Sequence, residues 1–293
     1  MTEHRAGTRF SLRTALWTLV IYTAVLALLG LARGSAETPG FGQRVALAAL
    51  SGFMVGFFLH PVVCALTGSF WRRFGLVALM IFALASISNA LETVLYLPAV
   101  AIAGTIVGGI IQAAVLAGVL AATARPVGVP EARSPHGTPR WVGTLAFIAA
   151  LAVIWLPIYF LFVTLDTPVV HWLQHGNGDV FAHPPLAPML AVELGRGVVH
   201  AAVLLGVGFL ARGRRSIVWL WGALVIAILN GWLPILPVST LPFGIRVANG
   251  VEITLSSIVF AGVAAYVFPV LCKTRGRHHP HNEPGTPAPS VGA

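Results

Sequence analysis

The chain has 293 residues, of which 57% are apolar and only 9% are charged, and its mean hydropathy is +0.87. Soluble domains carry about 25% charged residues, so this chain cannot cover a surface that is exposed to water. The composition therefore predicts an all-α, polytopic integral membrane protein. It excludes cytosolic enzymes, secreted disulfide scaffolds and nucleic-acid-binding domains.

Eight apolar segments are long enough to cross a bilayer as helices, which takes about 20 residues each. They are residues 14–31, 45–66, 74–97, 99–122, 142–165, 189–210, 217–236 and 245–271. The first segment also has features of a signal peptide, but its apolar run is long for one and favours a membrane anchor.

The segments divide the chain into two groups of four. The predicted regions are a cytoplasmic N-terminus (1–13), a first four-helix repeat (14–124), a cytoplasmic linker (125–140), a second four-helix repeat (141–272) with a long outer loop (166–188), and a disordered cytoplasmic tail (273–293).

Basic residues are distributed unequally between the two faces of this layout. With the N-terminus inside, 14 of the 18 basic residues fall in cytoplasmic segments, as the positive-inside rule requires. We therefore expect a multi-pass protein of the cell membrane with both termini in the cytoplasm. The net charge of +9 belongs to the inner membrane face, so the expected partner is the lipid bilayer, with a small-molecule or lipid ligand, and not nucleic acid.

The two halves share several spacings that indicate an internal duplication. His60 lies twelve residues before Arg72, and His200 lies twelve before Arg212. An even number of spans in each half predicts a parallel repeat whose halves pack face to face. Small-residue pairs such as Gly52–Gly56 and Gly104–Gly108 are expected to let helices approach at that interface.

The layout of two four-helix halves with histidines on matching helices resembles haem A synthase. The resemblance covers only the layout. The positions on the fourth and eighth spans that would carry partner ligands are Gln112 and Glu252, and the only cysteines are Cys64 and Cys272. No haem ligand is therefore assigned.

Ionisable residues inside membrane spans are costly and indicate function. Glu193, Arg196 and His200 are spaced three and four apart and share one face of the sixth helix, and Asn249 and Glu252 share a face of the eighth. We expect these two faces to meet. The predicted substrate- or proton-binding residues are Glu193, Arg196, His200, Asn230, Arg246, Asn249, Glu252, Glu92, Asn89 and His60.

The depth of these residues predicts an outward-facing polar vestibule above an apolar inner plug. Three intramembrane carboxyl groups, those of Glu92, Glu193 and Glu252, face two arginines. One acid is therefore left to hold a proton or to bind a cation or a substrate. The alternative is that Glu193–Arg196 and Arg246–Glu252 are ion pairs that only neutralise one another.

Two further segments carry hypotheses. Asn230-Gly231-Trp232-Leu233-Pro234 predicts either a broken seventh helix lining a cavity or the frayed end of a short helix. In the outer loop, four residues at a spacing of four suggest a zinc or copper site, or only a solvated loop: His171, His175, Asp179 and His183.

Three functions stay open at this point. A secondary, proton-coupled transporter is favoured by the duplicated bundle and the surplus acid. An intramembrane enzyme acting on a lipid or lipid-linked substrate from the outer face, with a metal or haem, is the second. A non-catalytic accessory or sensory membrane subunit is the third.

Overall fold

The computed structural model describes residues 10–32, 40–96, 102–124, 141–174, 185–211, 214–237 and 242–272. These residues form helices and no strands. Eight helical stretches among them are long and apolar enough to cross a membrane. The predicted all-α, eight-span fold class is thus confirmed.

The first half contains the first four spans. The first is Leu12–Ala32, the second Phe41–Cys64, the third runs through Phe70–Ile81, Phe82–Ser88 and Asn89–Tyr96, and the fourth is Ile102–Thr123.

The second half contains the other four spans. The fifth is Trp141–Gln174, the sixth Leu186–Leu210, the seventh runs through Arg215–Ile226, Ala227–Trp232 and Leu233–Ile235, and the eighth is Phe243–Leu271.

Helix extends into the predicted outer loop 166–188 at both of its ends. The fifth helix continues to Gln174 and contains Pro168, and the sixth begins at Leu186. The Thr167 hydroxyl donates to the Val163 carbonyl one turn earlier (2.7 Å). Pro168 lies inside this helix, where a proline removes one backbone hydrogen bond and commonly bends the helix.

One interpretation of the sequence expected a break at Asn230, but the seventh span is not broken there. Residues Ala227–Trp232 form a π-helical segment, and the chain then continues as helix through Leu233–Ile235. The third span contains a second such segment, Phe82–Ser88. A π-helical turn widens the helix by one residue while keeping it hydrogen-bonded, and such turns are frequent at functional sites.

The helices of the two halves pack in the same order of neighbours. The first span contacts the second and fourth, and the third contacts the fourth; likewise, the fifth contacts the sixth and eighth, and the seventh contacts the eighth. The halves meet where the two π-helical segments touch each other and where the second and third spans contact the seventh and sixth. The duplication itself stays a prediction.

Glycines hold two helices close together, but within one half. A Cβ atom on Gly52 would lie 3.0 Å from Tyr22 Cδ1, and one on Gly56 would collide with Thr18, so the first and second spans approach at these positions. Gly104 and Gly108 have no atom within 4 Å of such a Cβ. The expectation that both glycine pairs lie between the halves is therefore wrong.

Apolar side chains fill the second half on the side of the linker 125–140. Phe147 and Phe268 are buried with perpendicular rings 5.7 Å apart, and Leu151, Leu204 and Phe260 are fully buried nearby in the same core. This apolar layer closes the bundle at the end that the charge distribution assigns to the cytoplasm.

Candidate functional site

Arg196 of the sixth span is the centre of a polar network between the two halves. Its side chain is buried, with 2% of its surface exposed. Nη1 donates to both carboxylate oxygens of Glu193, one turn earlier (2.9 and 3.1 Å), and Nη2 lies 3.1 Å from Glu92 Oε2 of the third span. One guanidinium therefore binds two carboxylates, one from each half of the protein.

Glu193 is held by two spans and has no exposed surface. Besides its contacts with Arg196, its Oε2 accepts a hydrogen bond from Trp155 Nε1 of the fifth span (3.1 Å). Buried carboxylates are tolerated when such donors satisfy them. The Glu92 side chain, in contrast, is 35% exposed, and among the described residues its ion pair is with Arg196 alone.

Ser88 connects Arg196 to His200 and Asn230. Its hydroxyl accepts from Arg196 Nε (3.3 Å). With the Asn230 amide turned so that its oxygen and nitrogen exchange places, the orientation in which both atoms find partners, the amide nitrogen donates to Ser88 Oγ (2.7 Å) and the amide oxygen accepts from Arg196 Nη2 (3.3 Å). The remaining hydroxyl proton of Ser88 points to His200 Nε2, 3.3 Å away.

This pattern favours one tautomer of His200. If Nε2 accepts from Ser88, a neutral imidazole carries its proton on Nδ1, which is buried and has no hydrogen-bond partner among the described residues. The ring is fully buried and packs perpendicular to Trp155, with ring centroids 4.5 Å apart. His200 is thus a buried hydrogen-bond acceptor beneath the Arg196 guanidinium.

Two asparagines join the π-helical segments at the same place. Asn89 Nδ2 donates to the Leu84 carbonyl of the third span (3.0 Å) and to the backbone carbonyl of Asn230 (3.4 Å). The Asn230 amide nitrogen in turn lies 3.3 Å from the Leu84 carbonyl. Each asparagine therefore satisfies backbone groups of the other span, and both belong to the contact between the halves.

We call Arg196 and the six side chains connected to it the Arg196 network. They are Ser88, Glu92, Trp155, Glu193, Arg196, His200 and Asn230. With both acids ionised, the network has two negative charges and one positive charge. A net charge of −1 in a low dielectric favours uptake of one proton or one cation.

The eighth span contributes to this site differently from the sequence-based expectation. Arg246 is buried, and its Nη1 donates to the Leu236 carbonyl at the end of the seventh span (2.6 Å). In the part of the chain that the structure describes, neither Asn249 nor Glu252 forms a side-chain hydrogen bond or an ion pair. Glu252 nevertheless lies within electrostatic range of Glu92, Arg196 and Glu193.

The remaining predicted site residues lie elsewhere. His60 contacts Cys64 Sγ of its own helix (3.5 Å from Nε2) and is not among the side chains that bind Arg196. His171 falls on the fifth helix, and His175, Asp179 and His183 lie outside the described residues. Among the described residues, no group of three or more metal-type ligands occurs, and the loop site stays a prediction.

Ser88 and Trp155 are members of the network that the sequence analysis missed. A signal existed for Trp155, because a tryptophan in the middle of a span needs a buried acceptor for its N–H group, whereas most membrane tryptophans lie at the interface. For Ser88 the only signal was its place beside Asn89, one turn before Glu92.

Comparison with protein-family models, with curated proteins and with solved structures gives no match. The function is therefore inferred from the geometry of the Arg196 network.

Proposed function

We propose that this protein is a proton-coupled secondary transporter and that Glu92 carries the coupling proton. The observation on which this depends is the sharing of one guanidinium, that of Arg196, by carboxylates of both halves. In a transporter built from two bundles, the site lies between them and its protonation state controls how they pack.

The environments of the two acids assign the proton to Glu92. Glu193 has no exposed surface, and its carboxylate oxygens accept three contacts from Arg196 and Trp155. Glu92 is a third exposed and is bound by Arg196 through one contact. It is the carboxyl group of the network that can exchange a proton with the solvent side.

Protonation of Glu92 has a mechanical consequence. A neutral carboxyl group is held less strongly by Arg196, while the Arg196–Glu193 pair within the sixth span is unaffected. The ion pair between the third and sixth spans weakens, and the two halves can then move relative to each other. The π-helical segments of the third and seventh spans lie at this contact and provide turns where a helix can adjust its hydrogen bonding.

The apolar layer of Phe147, Phe268 and their neighbours, at the opposite end of the bundle from Glu92, supports the same proposal. These apolar side chains lie between the Arg196 network and the end of the bundle where the fifth span begins. The arrangement is that of an occluded or outward-facing state, in which a substrate approaches from the Glu92 end.

Two measurements test this function. Proteoliposomes with an internal pH indicator are exposed to a panel of organic anions, cations and amino acids. The compound that is transported should cause protons to cross the membrane, and it identifies the class of substrate. Glu92→Gln should abolish proton movement while substrate exchange across the membrane continues. The control is Asp166→Asn, which changes a carboxyl group of the fifth span at the same end of the bundle as Glu92. Substrate flux that is independent of a proton gradient in the unmodified protein would contradict the proposal.

A second test needs no substrate. Infrared difference spectra between acid and neutral pH should contain a protonated carboxyl band that Glu92→Gln removes and Asp166→Asn retains. The same band in the Glu92→Gln protein would assign the proton to another group.

We also propose that the protein lies in the cell membrane with both termini in the cytoplasm. The unequal distribution of basic residues supports this orientation. Reporter fusions after Arg133 should be cytoplasmic and those at Asn177 external, and a cytoplasmic signal at Asn177 would overturn the assignment.

A further inference from the structure

A cavity in the first half lies apart from the Arg196 network. Its volume is about 330 Å³, within the range of ligand-binding pockets. Its walls are formed by the first, second and fourth spans, and Pro237, which follows the seventh span, closes it from the other half. No member of the Arg196 network lines it.

The walls of this cavity are apolar over most of their area. Leu26 and Leu29 of the first span, Val45 of the second and Val115 of the fourth face the space. From Leu29 to Tyr22 the cavity follows the first helix for seven residues, or about 10 Å at 1.5 Å per residue. This shape fits a hydrocarbon chain that lies parallel to the helices.

Polar groups stand at the two ends of the space. At its floor, Gln112 Nε2 donates to the hydroxyl of Tyr22 (2.5 Å), so these two groups satisfy each other. At its other end is Arg44, in the first turn of the second span, with its guanidinium carbon 5.9 Å from the centre of the Phe41 ring. The cavity thus joins an apolar slot to a cation at the helix end, where headgroups of a bilayer lie.

We infer that this cavity binds one acyl chain of a phospholipid with an anionic headgroup, whose phosphate group interacts with Arg44. The apolar walls match the chain, and the guanidinium matches the phosphate in charge and in hydrogen-bonding geometry. A free hydrophilic anion does not fit, because it would lose its hydration water in the slot below Arg44 and find no hydrogen-bond donors there to replace it.

The lipid has a consequence for the contact between the halves. Pro237 directly follows the seventh span, which contains the second π-helical segment. A chain in the cavity therefore touches the first, second and fourth spans of one half and the end of the seventh span of the other. Lipid binding fills the space where these elements meet and stabilises their packing.

Two glycines of the fourth span provide a matched pair of variants. Gly108 lines the cavity, Gly104 lies one turn away outside it, and neither has an atom within 4 Å of an added Cβ. Gly108→Leu should fill the cavity, whereas Gly104→Leu makes the same change in helix propensity at an exposed position that does not line the cavity. A folding defect caused by either leucine would appear in both variants.

The test is retention of lipid by protein purified from nanodiscs that contain equal amounts of phosphatidylglycerol and phosphatidylcholine, measured by native mass spectrometry. The unmodified protein should retain one phosphatidylglycerol molecule, enriched about tenfold over phosphatidylcholine, which corresponds to one charge-assisted contact. Gly108→Leu should lose this lipid, and Gly104→Leu should keep it.

The contribution of the headgroup is separated by changes at Arg44. Arg44→Gln should remove the preference for phosphatidylglycerol, and Arg44→Lys should keep most of it because the charge remains. Equal retention of both lipids by the unmodified protein would overturn the headgroup assignment. Retention of phosphatidylglycerol by Gly108→Leu at the unmodified level would overturn the site itself.

Discussion

The region around Arg196 and the start of the eighth span have similar residues but opposite organisation. Each has an arginine, an asparagine and a glutamate within membrane depth. Arg196 binds two carboxylates, a serine and an amide, whereas Arg246 binds one backbone carbonyl. The comparison teaches that residue content alone does not identify a site; the positions of the partners on neighbouring helices do.

The difference follows from which helices meet. The sixth span contacts the third and fifth, so that Glu92 and Trp155 reach the face that carries Glu193 and Arg196. At the start of the eighth span, the neighbour is the end of the seventh, whose last carbonyl groups lack helical partners. Arg246 satisfies one of them, as basic residues at helix ends commonly do. The first region joins the halves, and the second stabilises a turn.

The largest effect is expected from Arg196→Leu, which leaves two carboxylates without their cation. The free energy of unfolding should fall by about 3–5 kcal/mol, because uncompensated buried charge is costly. Denaturation of purified protein in mixed micelles measures this free energy. The double variant Arg196→Leu/Glu193→Leu should recover part of the loss, and a double variant no more stable than the single one would contradict this pairing.

Glu193→Gln should be the next most damaging change. It removes a buried carboxylate that binds Arg196 and Trp155, with an expected loss of about 2–3 kcal/mol for charge-assisted hydrogen bonds. Glu92→Gln should cost about 1 kcal/mol, because Glu92 is partly exposed and solvent screens its ion pair. The same denaturation assay compares the two variants. A larger loss of unfolding free energy for Glu92→Gln than for Glu193→Gln would show that Glu92 is the structural acid.

Arg246→Met is expected to have a smaller effect. The Leu236 carbonyl loses its donor, which should cost about 1–2 kcal/mol, and proton movement in proteoliposomes should continue. Arg215→Met, a change at an exposed arginine that stacks on Tyr266, is the matched control and should cost less than about 0.5 kcal/mol. Loss of proton movement in Arg246→Met would place Arg246 in the transport site.

Glu252→Gln should have the smallest effect on stability, within about 0.5 kcal/mol, since no described residue forms an ion pair with Glu252. The measurement is the same denaturation assay, with Glu193→Gln as the sensitive reference. A loss comparable to that of Glu193→Gln would mean that the eighth span has a charged partner after all.

Sequence reasoning predicted the features that depend on composition and local order. Hydropathy predicted eight spans, and helical spacing placed Glu193, Arg196 and His200 on one face, where the structure has them buried together. These features follow from the period of one helix. They do not depend on which other helix packs against it.

The features that were missed depend on packing between helices. The sequence analysis paired the sixth span with the eighth, whereas Arg196 binds Glu92 of the third span. It interpreted the residues around Asn230 as a break or a frayed end, whereas a π-helical segment keeps the chain hydrogen-bonded. Neither hydropathy nor spacing distinguishes these alternatives, because the choice is made by partner groups distant in sequence, such as Ser88.

The central claim is that Arg196 of one half is bonded to Glu92 of the other. A double-mutant cycle of Arg196→Leu with Glu92→Leu, analysed by the free energy of unfolding, tests it most directly. We predict a coupling energy of about 1–3 kcal/mol for this pair. For the control cycle of Arg196→Leu with Glu252→Leu we predict less than about 0.5 kcal/mol, because Glu252 lies within electrostatic range of Arg196 but forms no ion pair with a described residue. Additivity in the Arg196–Glu92 cycle would contradict the account, because the two halves would then not be joined at this ion pair.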